Sequence, residues 1–386
     1  MRIYMRKKSL VSFTLSIGGK SRVRIFKVFI STVALLATLI LPAQAGNPNC
    51  IEVDGDYIVS FPRGIAIANE MRAVPGRPIQ AKFTYDTILN GFAATLTAQQ
   101  ACAFQRRPGA TVELDGEVEI LGKPSSSNTT GWYSWGLDRV DEKTLPLDKS
   151  NFERTTTGSG VTAYVIDTGI YSAHQQFVGR IEPGYTAISD GRGTEDCNGH
   201  GTHVAGTIGG NDSGVANAVK LVPVRVLNCR GSGSNSGVIA GVNWVATNFK
   251  SPAVVNMSLG GGISTALDSA VIALINSGVT VVVAAGNSNA DASNYSPSRV
   301  TSAITVGASD SRDLKASFSN FGNVIDIHAP GVGIKSTWIG NVTAAKNLDG
   351  TSMAAPHVAG IVARYLQANP SASTSTVSSA ITAAAN

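Results

Sequence analysis

The stretch VTAYVIDTGI, residues 161–170, runs through apolar and β-branched positions and then stops on Asp167, Thr168 and Gly169. With no regular polar alternation, it predicts a strand buried on both faces. Four runs of the same texture follow: LVPVRVL (221–227), AVVNMSL (253–259), VTVVVAAG (279–286) and AITVGA (303–308). Between them lie helix-like stretches such as SNSGVIAGVNWVATNF (234–249) and STALDSAVIALINSG (264–278). Apolar strands alternating with amphipathic helices predict an α/β fold, a mostly parallel sheet covered on both faces. Functional groups in such sheets gather at the carboxyl ends of strands. That rule singles out Asp167, residues 258–260 and Asn287.

Three segments carry candidate chemistry. Asp167 closes its run, and a buried carboxylate needs a partner; a turn or helix cap is the alternative. DCNGHGTHVAGT (196–207) places His200 among glycines ahead of a small-residue helix start. His200 and His203 lie three apart on one helical face, so with Cys197 they admit a metal reading. A zincin motif, however, needs histidines at i and i+4 with Glu between. DGTSMAAPHVAG (349–360) sets Ser352 before an Ala-rich helix, whose first N–H groups can hold an oxyanion. An N-cap serine is the alternative there. HVAG recurs at 203–206 and 357–360, and residues that small let two helices pack closely with their N-termini together.

Net charge is +5 with a pI near 9.0. Residues 1–45 supply eight of the 31 basic side chains and no acid, so the remainder carries 23 basic against 26 acidic residues. The basicity is therefore terminal, and a nucleic-acid partner is not expected. Within that terminus VFISTVALLATLIL (28–41) precedes Pro42 and AQA (43–45), a signal-peptide pattern with cleavage after Ala45. The apolar run is short for a membrane span, which needs about 20 residues. An exported, secreted chain is expected, and export favours disulfides. Four cysteines allow three pairings; a domain boundary between the early and late pairs favours Cys50–Cys102 and Cys197–Cys229.

Ahead of the α/β region, residues 54–62 and 91–97 read as strands and 97–105 as a short helix with Thr97 as N-cap. TVELDGEVEIL (111–121) has a DG turn between alternating segments. Together they predict a small α+β domain. GKPSSSNTTG (122–131) reads as a linker and cleavage region.

Asp167, His200 and Ser352, in that order and with an Asn after a strand, follow the chain order of subtilisin. Through VIDTGI, GHGTHVAGT, VNMSLGGG, AAGN and GTSMAAPHVAG the chain resembles the subtilisin-like serine proteases, in the branch of proteinase K and aqualysin. The resemblance implies a subtilisin-like three-layer fold, a signal peptide over 1–45, an inhibitory and folding-assisting propeptide over 46–123, and a catalytic domain over 124–386. It implies a secreted, self-processing serine endopeptidase acting as a monomer on polypeptides. Its propeptide would be an intramolecular inhibitor, and no membrane association would follow signal cleavage. Ser352 is then the nucleophile, His200 the base, Asp167 its orienting carboxylate and Asn287 the oxyanion donor, while His203 is structural.

Further implied roles are substrate edges at Gly231, Ser232 and Gly233 and at Ser258, Leu259 and Gly260. Ala284, Ala285 and Gly286 suggest a roomy pocket for apolar or aromatic residues. Catalysis needs no cofactor, but structural calcium is implied at Asp326 with Thr301 and Ala303, and at Asp138, Asp141, Glu142, Asp148 and Ser150. Three departures stand out. Asp349 replaces a small neutral residue, Asn235 replaces an aromatic, and only 34 residues follow Ser352, so the C-terminus reads as shortened. A catalytically silent binding protein and a zinc hydrolase are the alternative functions.

Overall fold

The β-branched runs form a seven-stranded parallel sheet, because their side chains find apolar cover on both sides. In the computed structural model, which describes residue 50 and residues 53–126, 131–149 and 155–385, the sheet order begins Ile327–Pro330, Ile304–Ser309, Thr280–Ala284 and Ala253–Met257. It continues through Thr162–Asp167, Lys220–Arg225 and Tyr185–Thr186, with every pairing parallel. The two edge strands, Tyr185–Thr186 and Ile327–Pro330, were not among the runs read from sequence. They are short and half-covered, so they lack the continuous apolar signal. The leader at 1–45 and Ser150 lie outside the described residues.

Alternate residues of each strand serve two cores. Tyr164, Ile166, Val255 and Val283 pack with Val238 and Val242 of helix Asn235–Asn248 and Leu267 and Val271 of helix Thr265–Asn276. On the opposite face Ala163, Val165, Val254 and Val282 meet Val204 and Ile208 of helix His200–Gly209 and Met353, Val358 and Val362 of helix Thr351–Ala368. The first two helices start on serine caps: Ser234 accepts from Gly237 N and Ser264 from Leu267 N. Helices His200–Gly209 and Thr351–Ala368 lie against each other, as their small residues allow.

Residues 55–114 build a four-stranded antiparallel sheet in the order Ala81–Tyr85, Gly91–Leu96, Gly55–Ser60, Thr111–Leu114. One face closes over Phe92, Leu96, Ala101 and Phe104. Ile58, Tyr85 and Ala93 on the other face join the core around helix Asn235–Asn248. Thr97 caps helix Ala98–Gln105 through a full capping box. The Cys50–Cys102 bridge forms here, and Cys197–Cys229 forms in the α/β part.

Two readings are corrected. The DG segment at 115–116 does not close a hairpin: Thr111–Leu114 pairs with Gly55–Ser60, while Glu117–Ile120 leaves to pair elsewhere. Two open backbone edges in the α/β part outcompete the local partner. The stretch after Leu121 is not wholly a linker either, since Lys123–Pro124 pairs with strand Ala345–Asp349.

The tight packing of helix Thr351–Ala368 on the loop that follows helix His200–Gly209 makes a checkable claim. A Cβ at Gly360 would stand 2.5 Å from Val215 Cβ, whereas one at Gly262 would meet nothing within 4 Å. In a Ser352→Ala background that suppresses autolysis, Gly360→Ala should lower unfolding stability by about 1–3 kcal/mol. Gly262→Ala should lie within about 0.5 kcal/mol of its parent in guanidinium melts.

Candidate active site

The strand Thr162–Asp167 delivers Asp167 to the carboxyl edge of the sheet with no solvent exposure. Its Oδ1 accepts from His200 Nδ1 at 2.8 Å and from Thr168 N at 2.7 Å, and Oδ2 lies 3.0 Å from the same ring nitrogen. That bond fixes the imidazole tautomer with the proton on Nδ1, leaving Nε2 as the basic atom. His200 opens its helix, and the turn entering it is organised by Asp196, a residue the sequence reading did not single out. Asp196 Oδ1 accepts from Thr168 Oγ1, Asn198 N and Gly199 N, and Oδ2 accepts from Thr202 N and Thr202 Oγ1, all within 2.6–3.0 Å. A single buried carboxylate thus ties the strand end to the helix start. Its only sequence signal is an Asp four residues ahead of the helix.

Ser352 occupies the first turn of helix Thr351–Ala368 and is fully buried. Its Oγ donates to Ser258 O at 2.9 Å, and Ser258 Oγ donates back to Ser352 O at 3.0 Å. His200 Nε2 has no hydrogen-bond partner among the described residues. Asn287 Oδ1 accepts from Thr351 N and Thr351 Oγ1, both at 2.9 Å, which orients its amide nitrogen outward. Asn287 Nδ2 and Ser352 N both point at Leu121 O, at 2.5 and 3.2 Å. Two N–H donors converging on one carbonyl oxygen have the geometry of an oxyanion hole. Asn320 supports this corner, accepting from Ser288 N and Ala290 N and donating to Ala285 O. Gly286, at φ +105°, must be glycine there, because a Cβ would fall 2.2 Å from Asn320 Nδ2.

Upstream of Leu121 the segment Glu117–Ile120 lies as a middle strand. It pairs antiparallel with Ser232–Ser234 on one side and Leu259–Gly261 on the other. Ile120 N donates to Gly231 O at 3.0 Å and Leu121 N to Ser258 O at 3.4 Å. A cavity of about 310 Å³ beside Leu121 is walled by Gly260, Ala284, Ala285, Gly286, Asn287 and Tyr295. The structure therefore brings Gly231, Ser232, Gly233, Ser258, Leu259, Gly260, Ala284, Ala285 and Gly286 around one strand and its terminal side chain. Two carboxylates anchor the preceding turn. Glu113 accepts from Ser264 Oγ, Thr265 Oγ1 and Ala266 N, and Asp115 from Ser236 N and Oγ, so each sits at the N-terminus of a surface helix.

The remaining candidates separate. Cys197 is bonded to Cys229, and His203 Nε2 bridges Ile334 O and Lys346 O at 3.0 Å each, so the atoms of the zinc reading are otherwise engaged. Asp349 turns an oxygen to Gly333 N at 2.6 Å, and Asn235 N donates to Gly116 O. Asp138, Glu142 and Asp148 bring carboxylate oxygens within 4.8 Å of one another, a donor set that suits a hard cation. Burial and the neighbouring charges of Asp148, Asp141 and Asp138 hold the Glu142 carboxyl above its usual pKa. Asp326 accepts from Thr305 N at 2.8 Å and joins no cluster of three acidic, histidine or cysteine side chains among the described residues, while the ligands expected of Thr301 and Ala303 are backbone carbonyls.

Burial separates the histidines further. His203 is pushed down to about 3, chiefly by desolvation and then by the nearby His200, and desolvation takes His357 to about 4. Both therefore stay neutral in the fold where an unfolded histidine, near 6.5, is already charged. The unfolded chain binds more protons below that value, so stability is lost as pH falls from about 6.5 toward 4. The Tm should drop between pH 7 and 5. A His203→Gln variant, less stable at pH 7, should lose fewer degrees over the same interval in calorimetry.

Residues 158–386 match the model of the subtilase family, peptidase S8. An extracellular serine proteinase of Thermus sp. (strain Rt41A) is 53% identical over 321 residues, 83% of this chain and 76% of that protein. Alkaline serine exoprotease A of Vibrio alginolyticus is 50% identical over 309 residues, and the chain spans only 57% of its length. The crystal structure of a cold adapted subtilisin-like serine proteinase aligns at 55% identity with a TM-score of 0.62, over 64% of this chain and 90% of that one. With a family match over more than half its length, including the strand and helices that carry Asp167, His200 and Ser352, the chain belongs to the subtilase family.

Proposed function

We propose that the chain is exported, cuts its own Leu121–Gly122 bond, and then acts as a broad serine endopeptidase outside the cell. The single observation that carries this reading is Leu121 O, held by Asn287 Nδ2 and Ser352 N at the end of a strand seated between two open edges. Ser352 Oγ attacks this carbonyl carbon after rotating from Ser258 O, and His200 Nε2 takes its proton. Asp167 holds the ring and stabilises the imidazolium. Negative charge grows on the oxygen already facing the two donors, so little reorganisation is needed. His200 then protonates the Gly122 amine as the bond breaks; water repeats the sequence to release the acyl group. Residues up to Leu121 remain in the cleft as a product-like inhibitor until removed. The relative from Thermus is named as extracellular, which supports export.

The cavity beside Leu121 supports a preference for apolar and aromatic side chains before the scissile bond, since the α/β part supplies backbone, alanine, tyrosine and amide groups to its walls but no charge. On the leaving side a Cβ at Gly122 would stand 3.0 Å from His200 Nε2 and 3.2 Å from Met353 Sδ, so a small residue fits best. Calcium is assigned to Asp138, Glu142 and Asp148, where it would neutralise three converging carboxylates and pin helix Trp135–Asp141.

Expression of the full chain and its Ser352→Ala form tests the central reading. The parent should yield a shortened form with Gly122 as its first residue, and the variant should stay uncut. Equal processing of both would exclude self-cleavage, and a parent that neither processes itself nor cuts unfolded casein would favour a silent binding protein.

Calcium has its own test in the processed enzyme blocked by a sulfonyl fluoride. Millimolar calcium should raise its Tm by about 5–10 °C over EDTA, and Glu142→Gln should remove most of that gain. An unchanged gain in the variant would place the ion elsewhere.

A further inference from the structure

Beyond the bond at Leu121 the chain stays in contact with the α/β part. Lys123 lies opposite Asp349 and Pro124 opposite Leu348 in an antiparallel pair, and Ser125 N donates to Asn347 O at 3.0 Å. The receiving strand Ala345–Asp349 is itself paired to Ile334–Thr337 along its other edge, so the leaving side of the cleft is a rigid track. Residues directly opposed in such a ladder send their side chains to the same face, with Cβ atoms about 4.5–5.5 Å apart. Lys123 and Asp349 therefore share a face.

One group meets the Lys123 side chain and a second shares its face. Its Nζ stands 5.2 Å from the centre of the Phe318 ring, within the range in which an aromatic face attracts a cation. The Phe318 backbone is held by Asn289 N, which donates to Phe318 O at 2.8 Å. Asp349, on that shared face, is held through Gly333 N and enters no ion pair, with Lys123 or any other cation, among the described residues. An acidic residue in the position of Lys123 would meet that carboxylate and the negative face of the ring together.

We propose that Phe318 and Asp349 form a cation-selective subsite for the second residue after the scissile bond, so that the enzyme favours peptides with Lys or Arg there. The inference rests on the reading that residues 117–125 occupy the cleft as a substrate does. It gives Asp349, the residue that departs from the family pattern beside the nucleophile, a part in substrate choice.

The test uses the processed enzyme and three internally quenched peptides. All carry a Leu-Gly scissile bond and differ only in the second residue after it: Lys, Gln or Glu. The cut bond is identified by mass. The parent enzyme should show kcat/KM about tenfold higher for Lys than for Glu, the scale of one exposed cation–π contact combined with one exposed charge pair. Asp349→Asn and Phe318→Leu should each bring that ratio to within about threefold, the ratio being taken within each variant so that any general change in rate cancels. Equal rates for Lys and Glu in the parent, or an unchanged ratio in both variants, would overturn the subsite while leaving the protease reading intact. Failure of the parent to cut any of the three peptides would overturn the protease reading and this inference with it.

Discussion

A carboxylate with no solvent exposure is tolerable only if its charge is met, and Asp167 meets its needs from His200 Nδ1 and Thr168 N. That requirement couples an interior strand of the sheet to the first residue of a helix. The same helix start is bound to the strand end a second time by Asp196, so the ring has one orientation and one tautomer. The Ser352 helix must then approach to the same edge, and small residues at the contact of the two helices allow it. The site is thus a consequence of how one buried charge is satisfied.

The cleft is a second consequence, this time of unfilled backbone. Ser232–Ser234 and Leu259–Gly261 are short edges separated by the width of one strand, and unpaired edges attract extended chain. Glu117–Ile120 supplies that strand from within the molecule. The N-terminal sheet stands against the two helices next to those edges, and Glu113 and Asp115 sit at the helix N-termini where N–H groups need acceptors. The hydrogen bonds that position this strand are therefore the ones that fill the two edges. Gly350 shows how closely the occupant is held, since a Cβ there would lie 2.2 Å from Leu121 O.

Histidine chemistry in this chain is set by surroundings rather than by residue type. His200 gives one nitrogen to a carboxylate and keeps the other free, facing the Gly122 position. His203, three residues on, spends its Nε2 on two carbonyls of the Ile334–Thr337 and Ala345–Asp349 strands and is buried without a charge partner. It ties the helix to the hairpin that carries the leaving-side track.

Much of the fold was legible in the chain itself. Runs without polar alternation announced the parallel sheet, and amphipathic stretches and small-residue repeats announced the helices, because these patterns follow from local geometry and burial on both faces. The order Asp167, His200, Ser352 and the Asn after a strand named the site residues through family resemblance, and the cysteine pairs followed from a domain boundary. The spacing within 196–207 could not choose between His200 and His203; only the distant Asp167 does, at 2.8 Å. Likewise, nothing local shows that the DG turn fails to close a hairpin, that Leu121 O reaches two donors, or that Lys123 meets Phe318 and lies opposite Asp349. Those contacts join residues far apart in sequence, and their partners are backbone edges and carbonyls that every residue carries alike. Identity alone therefore determined the elements and the reacting groups, whereas the tertiary structure decided which of them meet.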